Sequence, residues 1–423
     1  MTTAQGLRSA AMILVTGMAL CLDAGNATAQ TFAITNARIH TMTGVTIERG
    51  TVVVRDGRIE AVGADVTVPQ GVRVIDGNGR TVTPGFLDSY TSLGVVEIGA
   101  IAGTNDAATT EDRFTAAFNV MDAINPLASP IPVTRVEGIT RAIVAPGNGS
   151  SLIAGQSVLI DLGQTRVAEM VLRNPAAVHV ALGEAGSAMA GGSRAAAIME
   201  LREAFADARD FAQNRTAWQE NRRRDYSLSR LDLEALQPVL EREIPLVITV
   251  HRASDILTVL RFAEEQNVRS VIAGGSEAWM VAADLAAADV PVIINPLTNI
   301  PGFQNMAITF ENAARLHAAG ATVIFASFDA HNARNLKQFA GNAVSYGLPH
   351  DAALAAVTTN PARIWGLGES YGTIAAGMDA DLVVWSGDPF ELLTNVEHVF
   401  IRGNEVEMQT RQTELLARYR TLR

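Results

Sequence analysis

Cysteine is nearly missing from this 423-residue chain: Cys21 is the only one, and it falls in a leader-like segment. Once that segment is removed, disulfides, thiolate nucleophiles and cysteine-ligated zinc are all excluded. Lysine is as scarce. Lys337 is the only one, all other basic charge being arginine, so chemistry that needs a lysine elsewhere has no residue to use. No second long apolar run follows the leader, which leaves no membrane-spanning helix. The formal net charge of −11 is the opposite of a nucleic-acid-binding footprint.

The leader has three parts. Arg8 gives a positive start, Ala10 to Leu22 an apolar stretch, and Ala27-Thr28-Ala29 a small-residue cleavage site before Gln30. Leu20 ahead of Cys21 is a poor fit to a lipoprotein cleavage box. Residues 1–29 therefore read as a cleavable signal peptide, and the expected location is periplasmic or secreted.

Beyond it, residues 30–83 alternate apolar and polar positions between turn signals such as Asp56-Gly57, a two-residue hairpin sequence. The same texture returns only over residues 368–407, with Leu382-Val383-Val384-Trp385 and His398-Val399-Phe400-Ile401. Both chain ends are expected to build one small β-sandwich domain. Residues 84–367 change rhythm to strand then helix. Apolar runs at 82–88, 141–146, 157–161, 178–183, 245–250, 270–273, 291–295 and 321–327 read as eight parallel-type strands. Helical patterns cover Ser193 to Asn214, Ser254 to Gln266, Ser276 to Ala288 and Phe310 to Ala319. The fold class is α/β, a TIM-like (β/α)8 barrel. Arg222-Arg223-Arg224 reads as a solvated helix end, and residues 408–423 as a C-terminal packing helix with Leu415, Leu416 and Tyr419 on one side.

In such a barrel chemistry sits at the C-terminal strand ends. Those ends carry Asp88, Tyr90 and Ser92; the glycine-rich loop Ala145 to Ser151; Gly183-Glu184; His251-Arg252; Gly274-Gly275-Ser276-Glu277; and Asp329-Ala330-His331-Asn332. No Gly-x-Ser-x-Gly elbow marks a serine hydrolase. Pro84-Gly85-Phe86-Leu87-Asp88 resembles the first barrel strand of the amidohydrolase superfamily. His251-Arg252-Ala253-Ser254-Asp255-Ile256 is similar to the fifth-strand segment of members related to imidazolonepropionase and metal-dependent dipeptidases. Ala273 to Ala278 resembles the sixth, Asp329 with His331 to Leu336 the eighth. Asn360-Pro361-Ala362 and Gly377 to Val383 are similar to the segments that close the barrel and return to the sandwich.

The resemblance implies hydrolysis of a C–N bond in a small-molecule or dipeptide-like substrate. It also implies a divalent metal, zinc above all, held by two strand-one histidines, one each on strands five and six, and the strand-eight aspartate. Here Tyr90, Ser92 and Gly274 replace three of these, and a carbamylated-lysine bridge is excluded because Lys337 follows strand eight. Structural zinc binds with about 10–16 kcal/mol, or roughly 3 kcal/mol per ligand, so losing two ligands weakens binding by on the order of 10⁴-fold. His251 and Asp329 remain by resemblance, and Glu184 beside the fourth strand end could complete a mononuclear set with them, Asp329 or His331 moving protons; Tyr90, Arg252, Asn332 and Arg334 are the candidates to touch the substrate.

Each has a plainer reading. His251 can simply hydrogen-bond the barrel mouth, Asp329 can pair with Arg252 or Arg334, and Tyr90 can fill the vacated space. Three readings stay open: an amidohydrolase-related hydrolase with a depleted, mononuclear metal site; metal-free acid/base catalysis by Asp329 with His251 or His331, which no diagnostic spacing supports; or an inactive homologue. The last would be a ligand-binding protein, or the partner subunit of an intact paralogue. A homo-oligomer fits any of them.

Overall fold

A computed structural model describes residues 30–111 and 113–420, and the proposed signal peptide lies outside the described residues. The N-terminal strands are β1 (Phe32–His40), β2 (Thr46–Arg55), β3 (Arg58–Gly63), β4 (Arg73–Asp76) and β5 (Thr81–Pro84). Asp56 and Gly57 take φ of 51° and 80°, the left-handed pair a tight hairpin needs, and join β2 to β3. From the far end come β14 (Leu382–Trp385), β15 (Val396–Ile401) and β16 (Asn404–Glu405). β14 pairs antiparallel with β5, placing Leu382 opposite Pro84 and Val383 opposite Thr83. Both chain ends thus share one domain, as expected. Its eight strands form a single hydrogen-bonded sheet, ordered β16-β15-β14-β5-β1-β2-β3 with β4 beside β1, around a core containing Phe32, Ile34 and Phe400.

The second sheet is the barrel: β6 (Phe86–Thr91), β7 (Ile139–Val144), β8 (Ile153–Asp161), β9 (Val171–Ala181), β10 (Leu246–Val250), β11 (Ser270–Gly274), β12 (Val292–Ile294) and β13 (Val323–Phe325), in sequential order. It is nearly closed. The Phe328 N–H donates to the Tyr90 carbonyl at 2.8 Å, the Ser327 N–H to Asp88 Oδ1 at 3.1 Å, and the Thr91 hydroxyl to the Asp329 carbonyl at 2.7 Å. Alternate residues such as Leu87, Ile143, Val247, Ile293 and Ile324 fill the interior with Trp365 and Tyr371. The outward set, with Val178, Ile248 and Phe325, belongs to the separate core beneath the helices. The barrel is therefore a filled core, with room for chemistry only at its rim.

One expectation fails. β8 runs antiparallel to both β7 and β9, so the eight strands are not all parallel. Only residues 145–152 join β7 to β8, fewer than the dozen or more a parallel crossover requires, and the chain turns back as a hairpin. Strand-helix alternation becomes regular only after β9. Helices Arg194–Gln219, Ala253–Gln266 and Asn312–Ala318 match the expected segments, and the fourth divides into a 3-10 turn, Ala278–Val281, and helix Ala282–Ala287. Arg222, Arg223 and Arg224 pair with Glu220, Asp210 and Asp207 just beyond the first of these helices.

The C-terminal helix spans Arg411–Tyr419 and carries a capping box at Thr410. It buries none of its residues, so its expected packing role is not what the structure shows.

A latch joins barrel and β domain. His350 opens helix His350–Val357, and its Nε2 lies 3.0 Å from Asp388, on the loop after β14. The Asp388 hydrogen bond holds the His350 imidazole above its ordinary value. Burial pushes Asp388 up, but His350 and the Phe390 N–H outweigh it and leave the carboxyl low. His40, Arg38 and Asp351 surround the pair. A histidine raised in the fold stabilises it below the unfolded value near 6.5 and loses that contribution as pH climbs through the folded value. Asp388→Asn is therefore expected to flatten the decline in stability between pH 6 and 8 by ~0.5 kcal/mol, a value reduced for solvent screening. Urea unfolding of both proteins across that range checks it, and parallel curves would exclude the latch.

Candidate active site

β10 and β11 are paired in register from Leu246 opposite Ser270 to Val250 opposite Gly274, which brings their C-terminal turns side by side. Two backbone bonds tie these turns: the Gly275 N–H to the Val250 carbonyl at 2.8 Å, and the Glu277 N–H to the His251 carbonyl at 2.9 Å. Glu277 adds a further brace, its two carboxylate oxygens accepting the N–H of Ala307 and of Ala253 at 3.0 Å each. Against this frame lies a cavity of about 250 Å³, with Thr249, His251, Gly274, Ser276, Asn295 and Asn312 among its polar or small walls and Ile294, Phe310 and Phe328 among its apolar ones. His251 is the only ionisable side chain in the lining.

The His251 ring is directed sideways. Its Nδ1 lies 2.9 Å from the Ser276 hydroxyl, and burial holds the imidazole below its ordinary value, hence neutral at pH 7. Gly274 allows this placement. A Cβ there would stand 2.5 Å from His251 Cε1, and its φ of +91° disfavours any other residue.

Behind the cavity wall, Tyr90 stacks on Phe328 with ring centroids 4.7 Å apart and meets His179 edge-on at 5.2 Å. Burial raises the Tyr90 phenol, and a hydrogen bond with Thr249 partly offsets the rise. His179, on β9, is 2 % exposed with both ring nitrogens unpartnered, and burial pushes it down to about 3.

The remaining expected site residues sit elsewhere. Asp329 is taken up by its own turn: Oδ1 accepts the N–H of His331 at 2.6 Å and of Asn332 at 3.1 Å, and Oδ2 accepts Asn332 Nδ2 at 3.2 Å. It makes no ion pair with Arg252 or Arg334. Glu184 is exposed in the first turn of helix Gly183–Met189, and Arg252 is exposed at the start of helix Ala253–Gln266. His331 and Arg334 line a separate groove under the C-terminal helix, where Arg334 donates to Gln412 at 3.2 Å.

The amidohydrolase family model matches residues 253–406. Amidohydrolase tasK of Hapsidospora irregularis is 26 % identical over 390 residues, which cover 85 % of this chain and 39 % of that relative. Imidazolonepropionase of Klebsiella pneumoniae is 53 % identical over 47 residues, only 11 % of either chain. The crystal structure of an amidohydrolase from Thermotoga maritima MSB8 superposes with a TM-score of 0.81 at 29 % identity, over 89 % of this chain and all of that one. These matches make the chain similar to amidohydrolases over most of its length. The likeness to imidazolonepropionase is confined to one short segment. A Xanthomonas campestris adenosine deaminase with bound zinc, at 17 % identity and a TM-score of 0.54, shares the fold alone.

The likeness to amidohydrolases raises the question of a metal, and the donors present do not fit one. Among the described residues no three His, Cys, Asp or Glu side chains converge as a ligand group. The expected trio of Glu184, His251 and Asp329 is not assembled, because solvent, Ser276 and the Asp329 turn hold the three apart in different roles. What sequence reasoning missed is the neutral polar set Thr249, Ser276, Asn295 and Asn312, together with His179. Strand alternation could have found His179, since Val178 and Val180 flank it in a run that must face two ways.

Proposed function

We propose that this amidohydrolase takes a small, uncharged amide, a cyclic amide being the simplest case, into the barrel-mouth cavity and hydrolyses its C–N bond without a resident transition metal. The observation behind this reading is the cavity lining, which offers hydroxyl, amide and imidazole groups but no Asp, Glu, Lys or Arg. A zwitterionic dipeptide would bring two charges into those walls with nothing to pair them. At about 250 Å³ the space also falls below the ~300–1,000 Å³ typical of drug-sized ligands. The proposed signal peptide would deliver the protein to the periplasm or beyond. The experiment combines metal analysis with calorimetry on protein from zinc- and manganese-supplemented cultures. Expected are less than ~0.1 equivalent of metal, against the full occupancy of a structural site, and binding of neutral cyclic amides that His251→Ala weakens at least ~10-fold. A full equivalent of metal, lost on His251→Ala or Asp329→Ala, would sink the metal-free reading.

A second reading has its own support. Among the described residues no three His, Cys, Asp or Glu side chains converge, which suits an inactive homologue acting as the partner subunit of an intact paralogue. The chain spans 39 % of the length of the Hapsidospora relative, so that relative's whole activity is not carried over. Co-expression with such a paralogue and recovery of a complex decides it; two non-associating chains would count against it.

A further inference from the structure

The turn that carries Ser276 has a geometry the bare sequence does not announce. β11 ends at Gly274, and Gly274 and Gly275 take φ of +91° and +46°. Ser276 follows at once, and a 3-10 turn begins at Ala278. The order Gly274-x-Ser276-x-Ala278 thus lies on a sharp strand-to-helix turn, the setting in which a serine hydroxyl is presented at the end of a sheet. Its hydroxyl lies 2.9 Å from His251 Nδ1, and both residues line the same cavity. The backbones that carry the two side chains are held together. The paired turns of β10 and β11, the two backbone bonds across them and the doubly engaged Glu277 brace both positions. Ser276 is 5 % exposed, so its hydroxyl meets the cavity and little else.

The geometry points to Ser276 as a nucleophile and His251 as its general base, a metal-free acyl-transfer pair. This inference rests on the barrel-mouth cavity being the substrate site. With the ring proton on Nε2, Nδ1 takes the hydroxyl proton as Ser276 Oγ bonds to the carbonyl carbon and the carbonyl electron pair moves to oxygen. On collapse the C–N bond breaks and the proton on Nδ1 passes to the leaving nitrogen. Water then repeats the sequence: His251 takes its proton, the acyl–Oγ bond breaks, and the proton returns to Ser276. No oxidant, reductant or metal enters the balance. Thr298 and Thr309, in the same walls, supply hydroxyls that can donate to a carbonyl oxygen.

A serine that merely orients His251 would show the same 2.9 Å contact, so the test reads reactivity. The folded protein is treated with a fluorophosphonate probe and analysed by intact-mass and peptide spectrometry. One adduct on Ser276 is expected. It should vanish in Ser276→Ala and form on the order of 10²-fold or more slowly in His251→Gln, the usual contribution of a general base. Circular dichroism and thermal melting verify each fold. If Ser276→Ala fails to fold, Ser276→Cys takes its place, with iodoacetamide alkylation expected to be faster when His251 is present than in Ser276→Cys/His251→Gln. An unlabelled Ser276 in folded wild type overturns the inference, as does labelling at an unchanged rate in His251→Gln. Calorimetry with neutral amides separates the two levels. Binding without labelling removes the dyad and leaves the substrate site standing, whereas absence of both removes the site as well.

Discussion

Replacing Arg141 with alanine is expected to lower stability by about 3–5 kcal/mol, the usual result of breaking a buried charge pair from one side. Arg141 lies on β7, is 1 % exposed, and meets the segment that returns to the β domain. Its Nε donates to Asp381 at 3.0 Å, its Nη2 to Asp379 at 2.7 Å, and its guanidinium lies 4.3 Å over the Tyr371 ring. Burial is the largest influence and depresses the guanidinium, but Asp381, Tyr371 and Asp379 together outweigh it and hold the group above its ordinary value. Loss of this one cation leaves Asp381, 3 % exposed, with only the Arg402 N–H at 2.8 Å on its other oxygen. Nearby Asp161, pushed up to about 6 by burial and by Asp381, cannot take up the charge. Against a typical total of about 5–15 kcal/mol the loss is large. The check is urea unfolding followed by fluorescence, since Trp365 and Trp385 are both buried. Arg141→Met should be similarly damaging because both carboxylates stay, and adding Asp381→Asn should recover part of the loss. A midpoint shift worth less than ~0.5 kcal/mol, the range of an ordinary surface change, would show the cluster is not holding the two domains together.

The same cluster shows how much of the molecule its sequence discloses. Gly377 to Val383 was legible as a return segment by resemblance, but why it carries two aspartates becomes visible only with Arg141 between them. The strands were legible because apolar runs repeat. The direction of β8 was not, since a β-rich run reads the same both ways and only the eight residues before it bear on the turn. At the mouth, His251 was located correctly at the end of a strand, while its partner depended on the φ of Gly274, which residue types do not report. Glu184 stands near a strand end in sequence. Yet β9 stops at Ala181, and Gly183, with φ of +66°, starts a helix that carries Glu184 out to solvent. His179 escaped notice because a histidine inside an apolar run resembles a core position, and its environment is nearly that.

Asp88 carries the second large effect, on the pH dependence of folding. The residue is fully buried; Oδ1 accepts the N–H of Tyr90 at 3.2 Å and of Ser327 at 3.1 Å, while Oδ2 has no partner. Burial pushes this carboxyl up to about 7, against the opposing hydrogen bonds from Ser327 and Tyr90. The unfolded chain, with an ordinary value of 3.8, releases its proton first as pH rises. Stability contributed here is therefore complete near pH 4 and declines until the folded group also ionises, near pH 7. At 1.36 kcal/mol per unit, a shift of about three units gives a fall on the order of 4 kcal/mol. Asp88→Asn keeps an oxygen for the two N–H donors and removes the ionisation. The variant should come closest to wild type near pH 4 and exceed it by several kcal/mol at pH 8, read from urea midpoints at each pH. Equal pH slopes in the two proteins would mean that Asp88 is paired or hydrated in solution. Because the Ser327 N–H comes from the chain just past β13 and Asp88 lies on β6, this carboxylate works as the clasp across the barrel seam. Only one of its oxygens is engaged, so the seam needs an acceptor and not a charge.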